Sequence, residues 1–266
     1  MRVLAAFAAV LAFSAVSVLA GDFEDGLQAY QGKDYARAVA LWKKAAGQGS
    51  VPAQFTLGFV YERGEGVTQD YKQALFWYEK AADKGYAAAQ INLGSMYEKG
   101  QGTLADVKQA VSWYEKAAKQ GLVEAQFNMG RMFQTGQGVE QDYKQAASWF
   151  QIAGEQGHSW AQSALGLMHE TGQGVALDYK KAISWYLKAA EQGDPLAQFD
   201  LGRIYESGQE GVAMNYIEAH RWWSIAAVSG EDRARRSRIL VERLMTPEQI
   251  AEAKKSAESW LKARKK

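Results

Sequence analysis

The sequence predicts an all-α protein, a solenoid of helical hairpins, and three observations carry that prediction. A motif recurs every 36 residues through most of the 266-residue chain. Each copy holds two stretches with apolar residues at helical spacing. Only three prolines occur, so little interrupts a helix.

Residues 1–20, MRVLAAFAAVLAFSAVSVLA, join Arg2 to an apolar run and place the small residues Val18 and Ala20 as before a signal-peptidase cut. The run is short for a span of about 20 apolar residues. The expectation is cleavage after Ala20 and a periplasmic or secreted chain, and no later segment is apolar enough to cross a bilayer. Lys+Arg 31 against Asp+Glu 30 leaves no global field for nucleic acid or anionic lipid. Cysteine is absent, which excludes a disulfide frame, a thiolate metal site and a cysteine nucleophile.

Residues 21–49 form a shortened first unit, with Tyr30 to Tyr35 as its turn and Ala38, Trp42, Ala45 and Ala46 behind it. The loop before Asp34 is about five residues shorter than in later units, as suits a terminal repeat. Five full units follow, at 50–85, 86–121, 122–157, 158–193 and 194–230. In the first of them Ala53, Leu57, Gly58 and Tyr61 share one helical face, and Asp70, Ala74, Trp77, Tyr78 and Ala81 share another. Ala-Gln opens each unit at 53/54, 89/90, 125/126, 161/162 and 197/198.

Glycine marks the turn. Gly64, Gly100, Gly136, Gly172 and Gly208 suit the left-handed residue that ends a first helix. A second glycine stands at Gly66, Gly102, Gly138 and Gly174, with Gly211 displaced by one insertion. One such turn could cradle a phosphate; the same turn in five registers reads as a hinge. Asp70, Asp106, Asp142 and Asn215 face Gln or Glu three residues on, the spacing of a capping box, whereas Asp178 faces Lys181. Gly58, Gly94, Gly130, Gly166 and Gly202 lie inside helices at a cost of about 1 kcal/mol each. Close approach of the neighbouring helix is the expected compensation. Trp77, Trp113, Trp149, Trp185 and Trp222 are expected to carry the buried packing of the second helices. Residues 231–266 read as two capping helices, the second opened by Thr246, Pro247 and Gln249.

The pattern Ala-Gln-x-x-Leu-Gly-x-x-Tyr-x-x-Gly-x-Gly-Val-x-x-Asp-Tyr-x-x-Ala-x-x-Trp-Tyr-x-x-Ala-Ala-x-x-Gly closely resembles the Sel1-like repeat, a relative of the tetratricopeptide repeat. The resemblance implies a right-handed α-solenoid whose first helices line a concave groove, and a role in protein–protein interaction. Exported members include inhibitors of sensor kinases, flagellar-motor factors, proteins that touch host cells and assembly factors for exported polysaccharide. A cysteine-rich group with proposed penicillin binding is unlike this cysteine-free chain.

Catalytic chemistry finds little footing. His158, His169 and His220 lack metal-ligand spacing, and His169 takes the place of Tyr61 and Tyr97 on its helix. Ser259 to Lys262 matches Ser-x-x-Lys without the companion motifs of penicillin-recognising enzymes. The expectation is no enzyme, no cofactor and no metal; a cell-wall or β-lactam hydrolase is the alternative, and a purely architectural role in an envelope machine another. If the resemblance holds, the groove is lined by Phe55, Ile91, Phe127, Ser163 and Phe199, and by Phe59, Ser95, Arg131, Leu167 and Arg203, with the Glu62 row beside them. The row of Phe55 equally suits packing between units. Phe59, Arg131, Trp160, Leu167 and Arg203 are the candidate partner-binding residues. Arg233 to Arg238 make the carboxyl end basic, as a solvated cap or a surface for an acidic partner or lipid; export disfavours nucleic acid.

Overall fold

A computed structural model describes residues 20–264, and among these residues the regular structure is helical. The predicted leader, Ala20 apart, and the last two lysines lie outside the described residues. Six hairpins run in order: α1 (Ala20–Gln31) with α2 (Tyr35–Gly47), α3 (Val51–Arg63) with α4 (Tyr71–Asp83), and α5 (Ala87–Lys99) with α6 (Val107–Lys119). Then come α7 (Val123–Thr135) with α8 (Tyr143–Glu155), α9 (Ser159–Thr171) with α10 (Tyr179–Glu191), and α11 (Pro195–Ser207) with α12 (Tyr216–Val228). The cap is α13 (Asp232–Val241), a 3₁₀ turn (Glu242–Leu244) and α14 (Pro247–Ala263). The chain divides into two compact units, up to Ala125 and from Gln126. The first loop, residues 32–34, is four residues shorter than residues 64–70, not about five.

Helix ends are set by side chains on one side and glycine on the other. Asp70 accepts from the amides of Lys72 (2.9 Å) and Gln73 (3.1 Å), and its equivalents do likewise. The expected reciprocal boxes do not close there, because the cap amide already has a partner. Asp70, Asp106 and Asp142 donate to the carbonyls of Tyr61, Tyr97 and Phe133 at 2.9 Å, and Asp178 to His169 at 2.8 Å. Asp178 therefore caps as fully as the rest, and the Lys181 amide holds its carboxyl below the usual range. Thr246 and Gln249 do form the full box. Gly64 ends α3 at φ 72°, where a β-carbon would cost about 1–2 kcal/mol.

The helical glycines are seats for aromatic rings. A β-carbon on Gly58, Gly94, Gly130 or Gly166 would stand 2.5–2.7 Å from the ring of Tyr78, Tyr114, Phe150 or Tyr186 on the second helix of the same hairpin. Gly202 seats Trp223 in the same way, and Gly26 seats Trp42, which makes α1 and α2 a complete hairpin. The expectation of close helix approach is thus sharpened: what comes closest is a ring of the neighbouring helix, and at Gly94 the Ala110 carbonyl of that helix would also stand 3.2 Å from the β-carbon. The tryptophan expectation shifts by one residue, since these rings, not the tryptophans before them, are the buried ones. Tyr78 and Tyr186 are at most 1% exposed, whereas Trp77, Trp113, Trp149 and Trp185 are half-buried. Lys116 lies 3.5 Å over the Trp113 ring and Lys188 3.9 Å over Trp185, so solvent-facing cations cover them.

Each ring with a polar atom satisfies it locally. The hydroxyls of Tyr78, Tyr114 and Tyr186 donate to Glu62 (2.8 Å), Glu98 (2.8 Å) and Glu170 (2.9 Å). These glutamates, expected beside the groove, are therefore bonded within their own hairpins. Phe150 has no hydroxyl, and its unit carries Gln134 at the glutamate position. Trp42 and Trp223 donate their indole N–H to the carbonyls of Phe23 (3.3 Å) and Phe199 (3.1 Å), three residues before the glycine that seats each ring.

Within each compact unit, neighbouring hairpins are joined by the glutamine of the Ala-Gln pair, which is buried in every repeat. Gln54, Gln90, Gln162 and Gln198 donate to Ala46 (3.1 Å), Ala82 (3.1 Å), Gly154 (2.8 Å) and Ala190 (3.1 Å), each on the preceding hairpin. Gln120 donates to Gln90 (2.7 Å), Gln156 to Gln126 (2.7 Å) and Gln192 to Gln162 (2.8 Å). The carbonyls of Gln54 and Gln198 have no such donor: Lys84 reaches Gly49 instead, and Val228 offers no hydrogen. The second loop glycine is a spacer. A β-carbon on Gly102 would collide with the backbone at Tyr71 on the preceding hairpin.

At the carboxyl end α12 is covered on two sides. Trp223 clusters with Ala234 and Val241 of α13, while Trp222 packs with Ala257 and Trp260 of α14. Trp222 is accordingly 2% exposed, the one tryptophan of its row that is buried. His220 is wholly buried, with Nε2 2.8 Å from Glu242 and Nδ1 3.3 Å from the Ser224 hydroxyl. A neutral ring donating to Glu242 and accepting from Ser224 satisfies both nitrogens, and burial lowers its pKa from the ordinary 6.5.

Two outcomes follow from this packing. Gly94→Ala should destabilise by about 1–3 kcal/mol in urea denaturation, although alanine is the better helix former, and Tyr114→Ala should cost about 3–5 kcal/mol, more than Trp113→Ala. Because the folded pKa of His220 is depressed, its share of stability is present above pH 6.5 and fades as pH falls below it. Thermal melts of wild type and His220→Leu from pH 7.5 downwards should therefore converge.

Candidate protein-interaction surface

The second unit exposes large apolar side chains on its first helices. Trp160 is 60% exposed at the start of α9, and Leu196, its equivalent one repeat on, is 51% exposed. Leu167, two turns along α9, is also exposed. Trp160 rests on an ordered base: its ring centroid is 6.0 Å from that of Phe127 and 6.2 Å from that of His158. His158 stacks on Phe127 at 4.4 Å and caps α9, its Nδ1 accepting from the Ala161 amide at 3.2 Å. Beside them Ser163 donates to Asp194 (2.6 Å), which caps α11 through the amides of Leu196 and Ala197. A large ring held on a fixed support while offering most of its surface is how a binding anchor is built.

The five predicted residues part company. Trp160, Leu167, Arg131 and Arg203 belong to the second unit and Phe59 to the first. Phe59 is half-buried, packs against the cores of two successive hairpins and lies under Arg63, 5.5 Å from its ring. Arg131 reaches Gln137 in its own loop at 3.4 Å. Arg203 is committed within the fold. It contacts Glu170 at 2.5 and 2.7 Å and Asp200 at 3.3 Å, tying α11 to the carboxylate that also receives Tyr186. Burial raises the Asp200 pKa, and the Glu170 and Asp200 carboxylates raise that of Arg203 against its burial. Phe55, left open between groove and packing, is 7% exposed and meets Tyr78 at 5.7 Å and Tyr86 at 5.0 Å, so it packs.

Leu196 was not among the predicted residues, although its phase with Trp160 is visible in the sequence. The aromatic support under Trp160 was not legible, since His158 precedes the helix and Phe127 lies one unit upstream. His169 sits half-buried with Nδ1 3.2 Å from the Ala176 carbonyl. Ser259 donates to Lys255 (2.8 Å) on the exposed face of α14, the ordinary bond of a helical serine. No cluster of three or more His, Cys, Asp or Glu able to hold a metal occurs among the described residues.

Stability measurements should separate surface from scaffold. Leu167→Ala should stay within about 0.5 kcal/mol of wild type, whereas Arg203→Ala should cost about 1–3 kcal/mol by leaving Glu170 short of a donor, both read by urea denaturation.

A sequence description of the Sel1 repeat matches residues 19–50, 51–86, 87–122, 123–158, 161–194 and 195–230. No curated protein matches the chain in sequence. Among solved structures, a Sel1 repeat protein from Oxalobacter formigenes is 32% identical, with a TM-score of 0.74 over 90% of this chain and 97% of that one. The protein c5321, a protective antigen present in uropathogenic Escherichia coli strains and displaying an SLR fold, is 31% identical, with a TM-score of 0.53 over 92% of this chain and 68% of that one. Six matched repeats spanning residues 19–230, and hairpins that realise each repeated position, make this chain a member of the Sel1 repeat family.

Proposed function

We propose that this chain is a non-catalytic interaction scaffold of the bacterial envelope that docks another protein on the first-helix surface around Trp160, Leu167 and Leu196. Sel1 repeats generally mediate protein–protein interaction, which supplies the class of function. The observation that carries the site is Trp160, 60% exposed yet seated on Phe127 and His158. Arg131 lies one repeat upstream of Leu167 in the same helical phase and adds a guanidinium beside the apolar residues. Arg203, bound to Glu170, orders the surface rather than contacting the partner.

The envelope assignment rests on the leader-like residues 1–20. The partner we favour is a signalling or assembly component, held by binding alone; a hydrolase would need a nucleophile with a base beside it, and Ser259 bonds only to its own helix.

The test is a quantitative pull-down from envelope extract with wild type and the Trp160→Ala/Leu167→Asp and Arg131→Glu variants. Loss of a shared partner by at least about tenfold, as for a central anchor, is expected while helicity and melting stay unchanged. Identical partner sets from all three proteins would remove this surface from the proposal. Amino-terminal sequencing of the exported protein should begin at Gly21.

A further inference from the structure

The outer face of α13 departs from what a solenoid end requires. A terminal element needs a polar outer face, because no further repeat covers it. Here Ile239, Leu240 and Leu244 are 50–60% exposed on the last described turns of α13 and its 3₁₀ extension. Arg236, Ile239, Leu240 and Arg243 follow at i, i+3, i+4 and i+7, so they share one face, with Leu244 at its edge. The opposite face holds the buried Ala234 and Val241, which pack on α12.

The charge on this face is mainly basic, Arg236 and Arg243 against the single acid Asp232 at its start. Arg236 and Arg243 have no ion-pair partner among the described residues, and both are exposed. The nearby acids are engaged: Glu231 with Arg233 at 2.9 Å, Asp232 with Arg235 at 3.8 Å, and Glu242 with His220 at 2.8 Å and Lys254 at 3.6 Å. Aliphatic side chains flanked by unpaired guanidiniums on a single convex helix face form the pattern of an interfacial helix. The aliphatics enter the acyl boundary, and the guanidiniums remain among anionic headgroups.

We infer that α13 and its 3₁₀ extension dock on an anionic lipid surface, through Ile239, Leu240 and Leu244 with Arg236 and Arg243. A second copy of the chain suits this face poorly, because a twofold contact would bring arginines of one sign together with their acidic neighbours already paired. An acidic helix from a protein partner needs a groove to lie in, and α13 offers a ridge. The surface is separate from Trp160 and Leu167, so the two readings stand or fall apart. One end of the chain would hold the protein at a membrane without a spanning helix.

Vesicle sedimentation of the purified full chain tests this, with phosphatidylglycerol/phosphatidylcholine vesicles against phosphatidylcholine alone. All proteins compared share residues 1–20, so any contribution from them, Arg2 included, cancels between wild type and variants on the same vesicles. Binding in excess of the neutral vesicles should fall by at least about tenfold in Arg236→Glu/Arg243→Glu, and fall markedly in Ile239→Ser/Leu240→Ser. It should also fall at high salt for wild type. Circular dichroism should be unchanged for these surface variants. Equal binding of wild type and variants, or no excess on anionic vesicles, overturns the proposal. Loss of a protein partner by the same variants without any vesicle binding would overturn it in favour of an acidic protein.

Discussion

One aromatic ring resting on one helical glycine fixes each hairpin. A glycine inside a helix costs about 1 kcal/mol against alanine, whereas burying a ring of this size is worth about 1.5–3 kcal/mol, so the pair is favourable only because the ring uses the vacancy. Tyr114 on Gly94 sets both the distance and the register between α5 and α6. The remaining polar chemistry follows from that register. A hydroxyl emerges where Glu98 can accept it, and an indole emerges where the Phe199 carbonyl can. Where Phe150 offers neither, the neighbouring carboxylate is replaced by Gln134.

Between hairpins the contact is of a different kind. Small residues such as Ala81 and Ala82 pack with Ala89 and Leu93 of the next hairpin, and a buried glutamine crosses the seam to a carbonyl at the end of the preceding helix, where Ala82 also accepts from the amide of Gly85. The glutamine chain has direction, since Gln90 and Gln162 each donate backward and accept from ahead. It ends where Val228 stands, and there the fold changes from repeat to cap. Trp222 and Trp223 then face two separate helices rather than another hairpin.

Most of the scaffold was legible because a 36-residue period prints each structural requirement several times. Asp70, Gly64 and the hairpin itself are visible that way. What periodicity does not reveal is which of two neighbouring repeated residues points inward. Trp77 and Tyr78 recur together, and only the glycine partner on the facing helix decides between them. The capping boxes failed for a related reason: the amide that Gln73 would have served is bonded across the loop to Tyr61, a tertiary contact invisible in local spacing. The candidate surface was harder still. Trp160 stood out as an exception to its row, whereas Arg203 also stood out and proved to be held by Glu170.

The seated rings have a consequence for motion. A tyrosine pressed against a glycine backbone turns about its axis only when the packing around it loosens, so the rate at which its two edges exchange reports local opening at that hairpin and its seam with the next. Tyr78, Tyr114, Phe150 and Tyr186 place one such reporter in each of four successive hairpins. The chain thus carries its own set of internal clocks, spaced along its length, from which local breathing could be timed.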